Sequence, residues 1–472
     1  MNILLLRRGS LLLAVLMLSM ALSGCGTVKS ATEGSEEAGE TRKIMELGAG
    51  QNISAIEKNL SNAKITRLKG GRYIISSSDS EEELEQKLSA MQGIRQIQKP
   101  GKIGLIRPIT KIKVGKDFII DQLSQTNDIE ANDPGVKSQW AVSYINANHV
   151  WPLVEQKETI YVAVVDTGVD YTHPELVNRV NLEKGYDFVH NDSDPMDDNG
   201  HGTHVSGIIA AEMNNNEGIV GVAGTLDVSI IPIKVLDAEG QGQSDIVAKG
   251  IEYAVDQGAQ IINLSLGQPG EDVDIANAVR YANEKGVLVV AASGNDNQNC
   301  DNYTPAGLEN VYTVGAINPL KTKARFSNYG NSVEAAAPGV KILSTVPGNE
   351  YEAWDGTSMA APVVSGTAAI MLAHNPGLDV SGLASILNES AEDISKEGQD
   401  QKSGYGLPNA EKAWQLLTGE EAPKAEKEAM FSPFQKAVDG ARKLKIRQGD
   451  TTDNRLEKKS KFNSLFKYNF KI

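Results

Sequence analysis

Three short motifs place a carboxylate, an imidazole and a hydroxyl along the chain in the order Asp, His, Ser. Asp166 is followed by Thr-Gly, His201 stands in the stretch NGHGTHVSG, and Ser358 stands in GTSMAAP. A serine hydroxyl is a weak nucleophile at neutral pH and needs a neighbouring base to take its proton. A histidine has a reference pKa of ~6.5 and can act as that base, while a buried carboxylate can fix its tautomer. The motifs therefore predict nucleophilic catalysis by Ser358, with His201 as base and Asp166 as the orienting acid.

A fourth candidate is Asn295, which ends the stretch AASGN. The small, apolar run from Thr357 to Ala373 is typical of a buried helix. Ser358 would then lie at the N-terminus of that helix, where free backbone N–H groups favour developing negative charge. The side-chain amide of Asn295 would donate a further hydrogen bond to the same oxyanion.

Taken singly, each of these residues has a structural explanation. An aspartate in the position of Asp166 is often a strand-end cap, and a serine in the position of Ser358 is often a helix N-cap. His201 and His204 could bind zinc, but they lack the spacing of four and the adjacent glutamate of a helical zinc motif. The order of the motifs favours hydrolysis over zinc chemistry and over a structural role.

The segments around these motifs alternate between β-branched runs and helical patterns. Strands are predicted at 160–165, 228–235, 260–264, 287–292 and 311–317, and helices at 244–257 and 272–284. This alternation predicts an α/β fold with a parallel β-sheet flanked by helices on both faces. Ligands of such sheets bind beyond the carboxyl ends of the strands. Asp166 and Asn295 follow the first and fourth predicted strands, where that rule expects a site.

Residues 132 to 417 resemble the subtilases, the subtilisin-like serine proteases, through the three triad motifs and the asparagine motif. The beginning of this region, from Asn132 to Ala147, is similar to the start of thermitase-like mature domains. The resemblance implies a serine endopeptidase that acts through an acyl-enzyme, with the roles given above for the triad and with Asn295 in the oxyanion hole. The competing interpretation is a non-catalytic peptide-binding lipoprotein on a subtilase scaffold.

The resemblance also implies a groove in which a polypeptide substrate is bound as an added strand. Its residues would be Gly240 and Gly242 on one side, Ser265, Leu266 and Gly267 on the other, and Ala292, Ser293 and Gly294 at the first specificity pocket. The glycines could instead reflect turn chemistry alone. At 303–306 the chain reads YTPA where its relatives commonly read YPA, so it has one inserted residue at the pocket. A preference for basic residues through Asp301 is one hypothesis. Cys300 is either a passive apolar residue or an exposed thiol.

Structural calcium is the cofactor that the resemblance implies. The stretch 213–219 is similar to the first calcium loop of the family, and Glu175 stands where an aspartate is usual. The implied ligands are Glu175, Met213, Asn215, Glu217 and Ile219, with Asp133 as a possible addition. The acidic residues Asp192, Asp194, Asp197 and Asp198 form either a second calcium site or a solvated surface loop.

The first residues predict export. Arg7 and Arg8 precede an apolar stretch too short for a membrane span, which ends at LSGC, and this ending resembles a bacterial lipobox with Cys25 as the lipidated residue. An ordinary signal peptide or an uncleaved anchor is the alternative. The predicted domains are a signal peptide at 1–24, a flexible tether at 25–42, a propeptide and linker at 43–130, a catalytic domain at 131–419 and a basic tail at 420–472.

The predicted propeptide contains strand-like runs on either side of a capping box that begins at Ser80. It would act as an intramolecular inhibitor, and self-cleavage is expected between about Asp121 and Asn132. The net charge of −15 argues against a nucleic-acid partner. The basic, aromatic tail would be a solvated extension or a contact with an anionic membrane. The expected location is the extracellular face of the bacterial membrane, with release after processing as a second possibility.

Overall fold

The computed structural model describes residues 41–48, 50–60, 62–115 and 129–420. The predicted signal peptide, Cys25, and the basic tail from residue 421 onward lie outside the described residues. So does most of the range in which self-cleavage was expected. Within the described ranges, no helix combines the length and the apolar character that crossing a bilayer requires.

The elements follow the alternation that the sequence predicts. The strands are β1 (Thr41–Leu47), β2 (Ala63–Arg67), β3 (Arg72–Ser77), β4 (Ile94–Gln98), β5 (Lys102–Leu105), β6 (Thr110–Lys113), β7 (Ile160–Asp166), β8 (Tyr186–Asp187), β9 (Val228–Lys234), β10 (Gln241–Gln243), β11 (Ile261–Leu264), β12 (Leu266–Pro269), β13 (Leu288–Ala292), β14 (Tyr303–Thr304), β15 (Val311–Ile317), β16 (Val333–Pro338), β17 (Ile342–Val346) and β18 (Glu350–Asp355). The α-helices are α1 (Ser54–Glu57), α2 (Glu81–Ser89), α3 (Trp140–Tyr144), α4 (His201–Ala210), α5 (Ser244–Asp256), α6 (Val273–Glu284), α7 (Thr357–His374), α8 (Val380–Ser390) and α9 (Ala410–Thr418).

The centre of the molecule is a parallel sheet in the order β16-β15-β13-β11-β7-β9-β8. Both of its faces are buried, which explains why its strands are continuous β-branched runs rather than alternating ones. Helices α4 and α7 cover one face, and α5 and α6 cover the other. The predicted α/β fold, with helices on both faces of a parallel sheet, is confirmed.

The N-terminal domain, residues 41–99, has its own four-stranded antiparallel sheet in the order β2-β3-β1-β4. Helix α2 packs Leu84 and Leu88 against this sheet, in a small core with Met45 and Ile75. The helix begins at the predicted capping box, in which the Ser80 hydroxyl accepts from the Glu83 backbone and the Glu83 carboxylate accepts from the Ser80 backbone.

The N-terminal domain is bound to α5 and α6 by charges. Arg72 is 3% exposed and pairs with Asp274, which is 1% exposed. Arg42 pairs with Asp245, and the carboxylate of Glu252 accepts hydrogen bonds from the Lys69 backbone N–H. Because a buried charge is costly without its partner, the Arg72–Asp274 pair fixes how the N-terminal domain lies on the two helices.

We expect Arg72→Ala to weaken this attachment by about 3–5 kcal/mol, because Asp274 is left buried without its cation. In a Ser358→Ala background, which prevents self-digestion, hydrogen exchange within residues 41–99 should accelerate by about a hundredfold or more. Arg95→Ala is the matched control, since Arg95 is 74% exposed and its partner Glu46 belongs to the N-terminal domain rather than to the helices. Equal effects of the two substitutions would contradict this account of the interface.

Candidate active site

The acid and the base meet at the carboxyl end of the sheet. Asp166 is the last residue of β7 and His201 is the first residue of α4. Nδ1 of His201 lies 2.8 and 3.0 Å from the two carboxylate oxygens of Asp166, and both side chains are fully buried. This pairing requires the proton on Nδ1, so Nε2 is the nitrogen available to accept a proton. Nε2 is buried and has no hydrogen-bond partner among the described residues.

The start of α4 is positioned by Asp197, a residue to which the sequence analysis gave no catalytic relevance. Its carboxylate accepts from the hydroxyl of Thr167, the backbone of Gly200, and both the backbone and the hydroxyl of Thr203. Burial raises the pKa of Asp197. Asp197 thereby ties the segment after Asp166 to the turn before His201.

This arrangement corrects the idea of a second calcium site in the acidic run. Asp197 is committed to these N–H and O–H donors, and Asp198 pairs with the ammonium of Lys234 at 2.6 Å. Asp194 accepts from the phenol of Tyr171 at 2.8 Å. The carboxylates therefore do not converge on a common point, and no group of three or more His, Cys, Asp or Glu suited to a metal occurs in the part of the chain that the structure describes.

Ser358 is the second residue of α7, directly after the turn at Gly356. Its hydroxyl donates to the carbonyl of Ile106 at 2.7 Å and lies 3.3 Å from the carbonyl of Ser265. Within the described ranges its hydrogen bonds therefore go to these carbonyls rather than to His201. The nucleophile is in contact with an earlier part of the same chain.

Asn295 lies on the other side of the serine. Its Oδ1 accepts from both the backbone N–H and the hydroxyl of Thr357, each at 2.9 Å. These two donors fix the orientation of the amide, since only Oδ1 can accept them. Nδ2 consequently faces the groove, where it donates to the carbonyl of Arg107 at 2.9 Å. Thr357 is a positioning residue that the sequence analysis missed, although it adjoins Ser358.

The groove beside these residues contains a strand. In the groove segment, Lys102–Lys113, strand β5 pairs antiparallel with both β10 and β12. Gly104 faces Gln241 on one side and Gly267 on the other, while Leu105 pairs with Leu266 and donates to the carbonyl of Gly240 at 2.9 Å. The predicted residues Gly240, Gly242, Leu266 and Gly267 therefore flank one extended chain, as strand addition requires.

The glycines of the groove are required by close approach. A Cβ on Gly240 would lie 2.4 Å from Leu105 Cδ1, and the φ of Gly240 is +72°. A Cβ on Gly242 would lie 2.6 Å from the carbonyl oxygen of Val235. Turn chemistry alone explains the φ of Gly240 but not these contacts.

A cavity of about 440 Å³ opens beside Ile106. It is lined by Gly267, Ala292, Ser293, Gly294, Thr304 and Ala306 among others. Asp301 does not line it, because its carboxylate accepts from the backbone and hydroxyl of Ser332, both at 2.9 Å. The hypothesis that Asp301 selects basic side chains is therefore wrong, because its carboxylate does not line the cavity.

Cys300 is buried, and burial raises the pKa of its thiol to about 12. Of the two interpretations of Cys300, the structure therefore supports the passive apolar residue rather than the exposed thiol.

His204 faces away from the catalytic hydroxyl. Its Nε2 lies 3.0 Å from the carbonyl of Glu352, and its ring stacks on Trp354 with centroids 4.2 Å apart. Complete burial lowers its pKa well below the usual value, so it is neutral. Nδ1 of His201 is engaged by Asp166 and Nε2 of His204 by Glu352. Among the described residues, no third His, Cys, Asp or Glu joins the two histidines in a group suited to a metal, so the geometry does not support a zinc site.

The predicted calcium loop follows α4, and it presents donors to Glu175. The carboxylate of Glu175 accepts from the Ile219 backbone at 2.8 Å, the Tyr351 phenol at 3.0 Å and the Asn215 amide at 3.1 Å. Oδ1 of Asn215 is occupied by the backbone N–H of Glu217 at 2.9 Å. Burial raises the pKa of Glu175 to about 7, and these hydrogen bonds oppose that shift.

These residues do not fit the cation that the resemblance implied. Calcium requires six to eight oxygens directed at one point, whereas N–H and O–H groups are directed at Glu175. Asp133 is similarly occupied, by the backbone N–H groups of Asn214 and Asn215. The space is filled as well: a Cβ on Gly218 would lie 2.1 Å from Glu175 Oε1 and 2.2 Å from the Tyr351 hydroxyl. Met213 packs against the main core.

Comparisons with known proteins agree with this geometry. The Subtilase family (Peptidase_S8) matches residues 157–406. Thermitase of Thermoactinomyces vulgaris is 42% identical over 268 residues, which cover 57% of this chain and 93% of thermitase. The thermophilic serine proteinase of Bacillus sp. (strain AK1) is 46% identical over 257 residues, or 54% of this chain.

The chain spans 62% of the length of the Bacillus proteinase and 53% of the halolysin of Haloferax mediterranei, to which it is 40% identical. Among solved structures, fervidolysin from Fervidobacterium pennivorans, a keratinolytic enzyme related to subtilisin, matches 83% of this chain and 63% of its own. The TM-score is 0.67 and the sequence identity is 30%. The thermitase-like resemblance is thus confirmed.

Proposed function

Because the chain belongs to the subtilase family, we propose that it is a serine endopeptidase that hydrolyses peptide bonds of polypeptide substrates. The observation that carries this proposal is the fixed pair of Asp166 and His201, with Nε2 of the imidazole left available. The fully buried carboxylate selects the tautomer that a general base needs. The groove lined by Gly240, Gly242 and Gly267 supports an extended polypeptide as the substrate.

In the proposed reaction, a substrate strand lies between β10 and β12 with its scissile carbonyl at Ser358. His201 takes the proton from the Ser358 hydroxyl as the oxygen attacks the carbonyl carbon. Asn295 donates to the resulting oxyanion, and Asp166 stabilises the imidazolium. His201 then protonates the leaving amine. Water, deprotonated by the same imidazole, hydrolyses the acyl-enzyme and restores the serine.

Fluorophosphonate labelling tests this proposal. After the N-terminal domain has been removed, the probe should form a covalent adduct on Ser358, and Ser358→Ala should abolish it. A protein that binds peptides but is never labelled would instead support the alternative, a non-catalytic peptide-binding lipoprotein. Only the catalytic account requires an activated serine.

The proposed enzyme is made as a zymogen. The support is that β5 of the same chain lies in the groove and that the N-terminal domain is bound by buried ion pairs. Substrates cannot pair with β10 and β12 while this strand is present. Residues 43–130 would thus serve as the inhibitory propeptide and linker, and residues 131–419 as the catalytic domain.

The predicted lipid on Cys25 is part of the same proposal. It would hold the zymogen at the extracellular face of the membrane, and processing would release the catalytic domain. Cys25→Ser should move the Ser358→Ala chain from the membrane fraction to the soluble fraction. An unchanged distribution would remove the lipoprotein hypothesis without affecting the hydrolase one.

A further inference from the structure

The loop that follows α4, residues 211–221, is held by direct hydrogen bonds to protein groups. Gly221 donates its backbone N–H to the carbonyl of Ala211 at 2.9 Å, which joins the two ends of the loop. The side-chain amide of Gln139 donates to the carbonyl of Val220 at 2.7 Å and accepts from its N–H at 2.8 Å. The backbone of the loop is therefore closed before any ion is considered.

The carboxylate of Glu175 receives donors from this loop and from a neighbouring strand. Oε1 accepts from the backbone N–H of Ile219 at 2.8 Å and from the phenol of Tyr351 at 3.0 Å, while Oε2 accepts from the amide of Asn215 at 3.1 Å. Because the carboxylate is fully buried, these hydrogen bonds replace the water that it would otherwise need. A cation at the same oxygens would face the positive ends of N–H and O–H bonds. The donors and a cation are therefore alternative partners for one carboxylate.

Two further side chains that could offer oxygens to a cation are engaged in the same way. Oδ1 of Asn215 accepts from the backbone N–H of Glu217 at 2.9 Å. The two carboxylate oxygens of Asp133 accept from the backbone N–H groups of Asn214 and Asn215, at 2.8 and 3.1 Å. Calcium needs six to eight oxygens directed at one point. The oxygens of these side chains are directed at N–H groups instead.

Tyr351 is positioned by strands rather than by the loop. It lies on β18, where it pairs with Thr345 of β17, and its carbonyl accepts from the backbone N–H of Val114 at 3.1 Å. Its ring meets the ring of His173 edge to face, with centroids 5.2 Å apart. The phenol therefore brings a donor to Glu175 from outside the loop.

The length of the Glu175 side chain matters because the resemblance to the subtilases places an aspartate at this position. Glutamate is longer by one methylene, which carries its carboxylate further from the backbone. The space beside Gly218 shows the result, since a Cβ there would lie 2.1 Å from Glu175 Oε1 and 2.2 Å from the Tyr351 hydroxyl. The volume between the loop and β18 is filled by these two side chains.

Subtilases generally bind structural calcium. We propose that in this chain the Glu175 carboxylate and the Tyr351 hydroxyl take the place of a calcium ion at the 211–221 loop and fix the loop without it. The loop continues α4, the helix that begins at His201, and the backbone N–H of Glu212 donates to the carbonyl of Glu175 at 3.0 Å. The helix that carries the proposed base is thus anchored at its far end by direct hydrogen bonds.

Hydrogen exchange of the peptide that covers residues 213–219 tests the proposal. The sample is the full-length Ser358→Ala chain, compared in millimolar EDTA and in millimolar calcium. With Glu175 and Tyr351 intact, the two exchange rates should agree within a factor of about two. The peptide reports on this loop directly, so calcium bound elsewhere on the chain does not enter the comparison. Calcium that slows exchange of this peptide by about tenfold or more would overturn the proposal.

The second arm is Glu175→Asp with Tyr351→Phe, which shortens the carboxylate and removes the phenol donor. Calcium should slow exchange of the same peptide in this variant by about a hundredfold, as expected when its concentration exceeds Kd about a hundredfold. It should also raise the thermal midpoint by about 5 °C more than in the parent chain. A double variant whose loop ignores calcium would overturn the proposal.

Glu217→Asp is the matched control, because it shortens an exposed glutamate of the same loop by the same methylene. It should behave as the parent chain does, and a calcium response equal to that of the double variant would contradict the roles given to Glu175 and Tyr351. If the double variant does not fold, exchange in the parent chain still decides the question. Every chain in this test lacks the serine nucleophile, so its outcome is independent of the proposed hydrolysis, which fluorophosphonate labelling tests separately.

Discussion

Ser358→Ala is expected to lower kcat by about 10⁶, which corresponds to roughly 8 kcal/mol of transition-state stabilisation. The magnitude belongs to subtilisin, a member of the same family, in which loss of the serine or the histidine alone is about as costly as loss of the whole triad. The physical reason is the same here. Without the hydroxyl no acyl-enzyme forms, and the buried pair of Asp166 and His201 has no proton to take. The measurement is hydrolysis of a fluorogenic peptide after an added protease has removed the N-terminal domain, because Ser358→Ala cannot process itself.

The control for this prediction is Ser365→Ala, on the same helix. Ser365 is also buried, and its hydroxyl donates to Oδ1 of Asn263 at 2.9 Å, so it reaches Ser358 only indirectly, through Asn263 and Ser265. Its loss should lower stability by about 1–3 kcal/mol and leave kcat nearly unchanged. If both serine variants lost activity equally, the effect would lie in the integrity of α7 rather than in nucleophilic attack. If neither lost activity, the assignment of the nucleophile would be contradicted.

The sequence was sufficient for the features that depend on local pattern. The strands that end at Asp166 and before Asn295 were predicted because continuous β-branched runs are required where both faces of a sheet are buried. The helix that begins at Thr357 was predicted because its small apolar residues permit burial on all sides. In each case the information lies within a short window of the chain.

The features that the sequence did not reveal depend on contacts between distant segments. Asp197 looked like part of a solvated acidic loop, because its donors from Thr167 and Thr203 meet it only after folding. The crossing of Ile106 over Ser358 joins residues 252 positions apart and has no motif. Glu175 looked like a calcium ligand because a sequence resemblance identifies a carboxylate but not the direction of the donors around it. Asp301 misled because its place in the sequence suggested the specificity pocket, whereas in the fold its carboxylate accepts from Ser332.

Asn295→Ala is expected to lower kcat by about 10²–10³ with little change in KM, a magnitude that belongs to the corresponding asparagine of subtilisin. An interaction made only in the transition state affects kcat and not the binding of the ground state. The structure adds a reason for the size of the effect. Thr357 fixes the amide through two hydrogen bonds at 2.9 Å, so Nδ2 is oriented before the charge develops and no reorganisation is needed.

The same geometry predicts a smaller loss of kcat for a substitution at Thr357. Thr357→Val removes the hydroxyl donor to Asn295 Oδ1 and leaves the backbone donor, so the amide is held less firmly but remains in place. Its kcat should fall between those of the wild type and Asn295→Ala. In the double variant, the part of the Thr357 effect that passes through Asn295 should vanish, leaving only the loss of the hydrogen bond that the Thr357 hydroxyl accepts from the Gly294 backbone at 3.1 Å. Additive losses in the double variant would mean that Thr357 acts directly on helix α7 and would contradict its role as a positioning residue. The comparison uses the same fluorogenic peptide and processed enzymes of equal titre.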